Sequence, residues 1–475
     1  MFKNISSTDN QYAFNNVTNK ANYQHAVVIG GSIAGLTAAR ILSDHFARVT
    51  IIERDDMPDG QEFRKGVPQG RHAHLLLQKG QMILEKLFPG LQADLFAGGA
   101  ETINVGTDLA FCAPHGWLPT FASEMTIIGA SRRLLDYSVY NRLAQIENIT
   151  FLTNSDVLSL CVDGSGRHVV GLEVSDRSNG HITELPANLI VDASGRSSKA
   201  PEWLSQLGYQ PPSELTVNAY PGYATRLYKK PENFSEYWKA IYIMPVAPIV
   251  TRGGVILPME NGDWQVTLIG VGRDYPPTDE AGFLEFARSL ASSAIYEAIK
   301  DAQPLTAPYG YRRAENRLRQ FDKLPAYLEG FLAMGDAVYA LNPVYGQGMT
   351  LASIASQLLN DCLVEQKAKG ETADFTGLAS RFQKLLGKEL IAPWQQATNE
   401  DMRWPDTEGK QDLGFAMNMV NSYFGQVMQA MPHSTKVTDA FYRVQHMIAP
   451  PTLLMRPDML LTVFKTNLAA RFSKS

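Results

Sequence analysis

The sequence predicts an α/β chain with a Rossmann-like parallel sheet at its front, an antiparallel sheet in its middle and a helical C-terminal region. Three stretches carry that prediction. Residues 26–35 read AVVIGGSIAG and open onto LTAARIL, which is an apolar run, a glycine turn and an apolar helix in the order of a βαβ unit. Residues 220–272 hold the β-prone runs YATRLY, AIYIMPVAPIV and GGVILPMENGDWQVTLIGVG, with ENGDW as a hairpin turn. Residues 413–431, LGFAMNMVNSYFGQVMQAM, space apolar side chains at helical intervals.

Taken in order, the polar residues 1–23 read as a flexible arm without a signal peptide's apolar run. Ala26–Ile29 suits a strand buried on both faces. Gly30 and Gly31 turn the chain, and Gly35 lets the helix Leu36–Leu42 lie close to the sheet. The amides opening that helix, with its dipole, form a site for a pyrophosphate. Val49–Ile52 is the second strand, and Glu53 at its end can accept hydrogen bonds from ribose hydroxyls while repelling a 2′-phosphate. That favours FAD or NAD over NADP. Ser32 stands where the strict G-x-G-x-x-G pattern has its middle glycine, and its hydroxyl can donate to a phosphate.

Two later segments separate FAD from NAD. Phe331–Ser353, FLAMGDAVYALNPVYGQGMTLAS, is a strand ending in Gly335-Asp336, then a loop with Pro343, then Gly346-Gln347-Gly348 opening a helix. Asp336 suits a sugar or ribityl hydroxyl, and the bare amides at Gly346 and Gly348 can face a flavin or its phosphates. Leu189–Ser198, LIVDASGRSS, is a strand entering a small-residue turn.

With these residues in place the chain resembles the FAD-dependent monooxygenases of the aromatic-hydroxylase (p-hydroxybenzoate hydroxylase-like) superfamily. The segments 64–80 and 191–209 resemble its polyene and prenyl epoxidase branch most. The resemblance implies a GR2-type FAD-binding domain from 24–110, 128–205 and 306–365. A β-sheet substrate domain then comes from 111–127 and 206–305, and residues 366–475 form the helical end. It implies that Gly30, Gly31, Ser32 and Gly35 hold the FAD pyrophosphate and that Glu53, with Arg54 beside it, holds the adenosine ribose. Arg132 would pack along the dinucleotide, and the backbone at Val157 would meet adenine. Asp336 would bind the ribityl chain or its neighbouring phosphate. Gly346, Gly348 and Met349 would lie against the isoalloxazine, with Pro343 at its reacting edge. Arg71 is the favoured flavin-edge candidate, beside His72 and His74; no catalytic base is assigned.

The implied activity is insertion of one oxygen atom from O2, through a C4a-hydroperoxyflavin, into a small apolar or aromatic substrate. Alkene epoxidation in secondary metabolism leads. Aromatic hydroxylation, flavin-dependent halogenation and prenyl-chain reduction are the enzymatic alternatives, and a non-catalytic flavin-binding sensor is the other class. No W-x-W-x-I-P string occurs, which sets the halogenase behind, and Lys79 is not given the halogenase lysine's role. Two positions depart from the family pattern. Ser194 takes the place of the aspartate in the middle Asp-Gly pair, and Tyr339 takes that of the histidine ending the Gly-Asp box. The first leaves the electron donor open between NAD(P)H acting directly and a separate flavin reductase.

A substrate wall is expected from Tyr242, Met244 and Trp264 of the middle sheet. On the C-terminal helix the stripe Leu413, Met417, Val420, Phe424, Val427 and Met431, with Phe415, Met419 and Tyr423 beside it, is expected to be mainly packed core. The segment 450–468 is expected to cap it rather than to touch a membrane. Across 475 residues, 45% hydrophobic and 19% charged, the formal net charge of −5 argues against a nucleic-acid partner. Cys112, Cys161 and Cys362 lie apart and predict neither disulfide nor metal site. No stretch has the length of a transmembrane segment, and the expected location is cytoplasmic.

Overall fold

The computed structural model describes residues 23–57, 63–64, 66–370, 374–412 and 414–472. The expected N-terminal arm, all but Tyr23, and Leu413 of the apolar stripe therefore lie outside the described residues.

The front of the chain forms a five-stranded parallel sheet in the order Phe331–Ala333, Leu189–Asp192, His25–Ile29, Arg48–Ile52, Ile149–Leu152. Its strands are apolar on both faces because helix Ile33–Ser43, backed by Gly348–Lys367, and the small antiparallel sheet of Ser155–Val162, Val169–Asp176 and Ile182–Pro186 pack on it, so no alternation of polar and apolar residues survives. The first strand and helix are held together at one tight point. Gly30 adopts φ +103°, and a Cβ on Gly35 would sit 1.8 Å from the Gly30 carbonyl oxygen. Only glycine lets the helix begin that close to the strand end.

A seven-stranded sheet follows, ordered Tyr309–Tyr311, Gly222–Lys229, Asp263–Gly270, Arg252–Pro258, Ala240–Ile243, Leu109–Ala113, Gly116–Trp117. The ENGDW turn joins Arg252–Pro258 to Asp263–Gly270 as a hairpin, with Asn261 at φ +66° and Gly262 at φ +70°. The sheet is antiparallel except where Ala240–Ile243 runs parallel to Leu109–Ala113. That strand comes from an early excursion out of the nucleotide-binding half, so its direction is set by a long crossover rather than a hairpin. One face of this sheet buries Trp238, Trp264, Phe283 and Phe286. The other bears Phe111 and Tyr242 and meets the C-terminal helices Gly414–Ala430, Thr435–Gln445 and Pro457–Phe472. Trp264 therefore belongs to the core on the far face, not to a substrate wall. Cys362 is buried, while Cys112 and Cys161 are half-buried; all three are free thiols.

Candidate active site

Two concavities meet inside this arrangement. The first is a groove of about 360 Å³ along the carboxyl ends of the parallel strands, where an open α/β sheet offers its crevice. It is lined by Gly30, Gly31, Ser32, Glu53, Arg54, Arg132, Val157, Asp336, Pro343, Gly346, Gly348 and Met349. Of the flavin positions singled out by sequence, Gly35, Arg71 and His72 are absent from its walls. Gly35 acts from behind, through the close approach described above. The half-buried Arg71 lays its guanidinium 4.4 Å from the ring centroid of Tyr309 and 5.5 Å from that of Phe63, and its backbone carbonyl accepts from Gln265 Nε2 at 2.9 Å.

Glu53 is held on both carboxylate oxygens. Its Oε2 accepts from the Gly31 amide at 2.7 Å and pairs with Arg64 Nη2 at 2.7 Å, while Oε1 accepts from the Asp55 amide at 3.1 Å. Arg64 also donates to the Gly31 carbonyl at 2.6 Å, so it staples the glycine turn to the second strand. Sequence reasoning missed this role for Arg64, although it opens the segment that carries the epoxidase resemblance. At the first helix, Ser32 Oγ accepts from Arg132 Nη2 at 3.0 Å, and Arg132 is itself fixed by Asp136 at 2.6 Å. The serine in place of the middle glycine thus positions a guanidinium beside the helix's unpaired opening amides. An anion there meets both dipole and charge.

Asp336 is the opposite case. Among the described residues its carboxylate has no hydrogen-bond partner, and burial pushes its pKa up against the opposing pull of Arg196, Arg132 and Arg317. Half-buried in the groove wall, this carboxylate is an acceptor left open to a ligand that donates to it. Across the groove a Cβ on Gly348 would meet nothing within 4 Å, so the helix Gly348–Lys367 begins in open space. Gly346 takes φ +65° to make that start. An unpaired acceptor, a bare helix N-terminus and a cation beside a second one fit a ligand with hydroxyls, phosphates and a flat ring, as FAD has.

The second concavity holds about 430 Å³, the size of a small-metabolite site. Its walls include Phe111, Tyr242 and Met244 of the large sheet and Met417, Val420 and Phe424 of the Gly414–Ala430 helix. The stripe on that helix is divided: Val427 and Met431 are core, whereas Met417, Val420, Tyr423 and Phe424 face the cavity. Groove and cavity share Gln69, Ala73, His74, Leu75, Tyr311, Pro343 and Gly346. The two spaces therefore touch along the Ala73–Leu75 turn and the 343–346 loop.

That loop is pinned by groups the sequence did not reveal. Asp401, at the end of helix Leu378–Asp401, accepts from Tyr345 Oη at 2.6 Å and Asn316 Nδ2 at 2.6 Å, and Asn342 Nδ2 approaches it at 3.3 Å. Tyr223 Oη donates to Asn342 Oδ1. Burial raises the Asp401 carboxyl to about 6 against these hydrogen bonds. Gln347 and Gln396 continue the restraint, joined at 3.0 Å, and Gln396 donates on to Gln445 at 2.7 Å. The histidines at the cavity are neutral. Burial lowers His72 to about 4, and burial with Arg132 lowers His74 to about 3. Ser194, where a family aspartate was expected, donates to the buried Asp192 at 2.5 Å. Tyr339 is buried beside Asp336, which with burial holds its phenol well above the usual range.

Comparison with known proteins settles the family. The model for the FAD binding domain matches residues 23–360, more than half of the chain. The chain belongs to that FAD-binding family of aromatic hydroxylases and monooxygenases. A curated relative, Protein Rv3254 of Mycobacterium tuberculosis (strain ATCC 25618 / H37Rv), is 33% identical over 380 residues, covering 78% of each protein. Among solved structures, the flavin-dependent brominase Bmp2 superposes with a TM-score of 0.64 at 14% identity, covering 95% of this chain and all of that one. PqsL, described as a probable FAD-dependent monooxygenase from Pseudomonas aeruginosa, gives 0.58 at 16% identity, covering 80% and 98%. At such identities the structures speak to the fold alone.

Proposed function

We propose that this family member is a flavin-dependent monooxygenase that places one oxygen atom from O2 into an apolar or aromatic metabolite, with epoxidation of an alkene as the leading reaction. The observation that carries the reading is the shared wall. An apolar cavity and the dinucleotide groove share Pro343, Gly346 and Ala73–Leu75 in their walls, with Gln69 and Tyr311 beside them. Bound there, FAD supplies the activation of O2.

The chain's own residues do the rest. Ser32 and Arg132 hold the pyrophosphate, Glu53 the adenosine ribose, and Asp336 takes a hydrogen bond from the ribityl chain. The Asp401 network keeps the 342–346 loop rigid, which fixes the distance between ring edge and substrate. Phe111, Tyr242, Phe424 and Met244 exclude water from that edge, favouring oxygen transfer over release of peroxide. His72 and His74, neutral at pH 7, add no positive charge to the cavity wall. Epoxidation asks for no side-chain base, in agreement with walls whose histidines are weak bases, lowered by burial to about 4 and 3. Lys79 lines neither space and its backbone amide donates to His446 at 3.2 Å, so a halogenase's lysine is not supplied from that position. Electrons come from NAD(P)H or through a separate reductase, and Ser194 in the aspartate's place favours the latter.

The test is a panel of lipophilic alkenes and phenols incubated under ¹⁸O2 with enzymatically reduced flavin, read by mass spectrometry. Incorporation of one heavy oxygen into an alkene supports the reading. Saturated product without label means a reductase, and bound flavin that never turns over means a sensor.

A further inference from the structure

The last helix does two things at once. Met459, Val463 and Asn467 of Pro457–Phe472 are buried, with Asn467 donating to the Gln426 carbonyl at 3.0 Å, so the helix caps the Gly414–Ala430 helix as its sequence suggests. Its other side is just as apolar and faces outward: Leu461 is 53% exposed, Phe464 61% and Leu468 43%. The Gly414–Ala430 helix adds Phe415, 82% exposed, and Met419. Isolated surface leucines need no explanation, but a helix apolar on both sides, packed on a neighbour that also exposes apolar residues, does.

Two further observations say what covers this surface. First, it is continuous with the substrate cavity. Val420 and Met455 line that cavity and are also exposed, one within the first helix and one just before the second. The cavity therefore reaches the apolar surface at Val420 and Met455, with Gln395 exposed on another part of its lining. Second, the charge is inverted there. Residues 414–475 contain six Lys or Arg, two Asp and no Glu, in a chain whose formal net charge is −5. Lys465 and Arg471 are exposed among the apolar residues of the last helix and make no ion pair among the described residues. No helix among the described residues is long and apolar enough to cross a membrane. Apolar side chains interleaved with cations on a short helix form the surface that lies in the interface of an anionic bilayer.

We propose that helices 414–430 and 457–472 dock this protein reversibly on an anionic lipid surface, and that its apolar substrate enters from the bilayer through the opening between Val420 and Met455. The docking stands on the surface alone, whereas the entry of an oxygenase substrate rests on the function proposed above.

The experiment is co-sedimentation of the flavin-loaded full chain with vesicles of phosphatidylcholine, with or without phosphatidylglycerol. The parent protein is expected to pellet with the mixed vesicles and to be released by salt. Leu461→Ser with Phe464→Ser should weaken binding about tenfold or more. Lys465→Glu with Arg471→Glu should weaken it by a similar factor on mixed vesicles only. None of the four residues lines the cavity, so flavin absorbance should be unchanged in every variant and reports that each has folded. Parent protein that stays in the supernatant with its flavin bound overturns the docking and leaves the oxygenase reading intact. A parent that pellets but holds no flavin does the reverse. Variants that bind as the parent does, or a parent dimer that the serine substitutions dissociate, overturn the proposal too; the dimer would assign the surface to a second copy of this chain.

Discussion

Glu53 and Asp336 are both acidic groove residues, yet the structure gives them different consequences. Glu53 is tied into the fold by Arg64 and two backbone amides, so removing it leaves a buried guanidinium unpaired. Glu53→Ala is expected to lower stability by about 3–5 kcal/mol as well as flavin affinity. Asp336 makes no hydrogen bond or ion pair among the described residues, and only the more distant Arg196, Arg132 and Arg317 act on its charge. Asp336→Ala should therefore leave the apoprotein as stable or more so, while FAD affinity falls by about 1.5–3 kcal/mol, the worth of a hydrogen bond to a charged group. Chemical denaturation and fluorescence titration of FAD separate the two. His446 makes a third case. It lines the cavity, and burial lowers its pKa from the ordinary 6.5 to about 4 while Nδ1 accepts from the Gln78 amide. The folded state then binds fewer protons than the unfolded one, so its contribution is complete above pH 6.5 and is lost as pH falls toward 4. Replacing it with glutamine keeps the acceptor and removes the titration. The parent should lose about 2 kcal/mol more than His446→Gln between pH 7 and pH 5, measured by urea denaturation at each pH.

At the scale of elements, the two glycine-led helices fail in different ways. A Cβ at Gly35 would strike the Gly30 carbonyl at 1.8 Å, whereas one at Gly348 projects into the groove with nothing within 4 Å. Gly35→Ala should cost stability by about 1–3 kcal/mol or more, because strand and helix must part. Gly348→Val should leave the apoprotein's melting temperature close to the parent's but weaken FAD binding about tenfold, because its side chain fills the space of the ring. These elements were legible in the sequence, since a buried strand, a glycine turn and an apolar helix leave local marks. Arg64 and Asp401 were not. Each acts through a partner distant in sequence, Glu53 for one and Asn316, Asn342 and Tyr345 for the other, and no spacing rule announces such a pairing. Trp264 shows the same limit within one strand: alternation says that Trp264 and its neighbours face opposite sides but not which side is the cavity. Arg71 was placed by analogy with a loop, and its side chain turned toward Tyr309 instead.

For the molecule as a whole, the account depends on two spaces built by different parts of the chain meeting along one wall. The groove belongs to the parallel sheet, and the cavity lies between the large sheet and the C-terminal helices. Neither half of the site has a use without the other, which is why the C-terminal stripe could not be divided into core and cavity residues from its periodicity. The most direct test is a crystal structure of the protein reconstituted with FAD. The account predicts the isoalloxazine ring lying with one edge against Pro343 and Gly346, open to the space bounded by Phe111, Tyr242 and Phe424. A ring found elsewhere, with side chains closing the wall between groove and cavity, would contradict it.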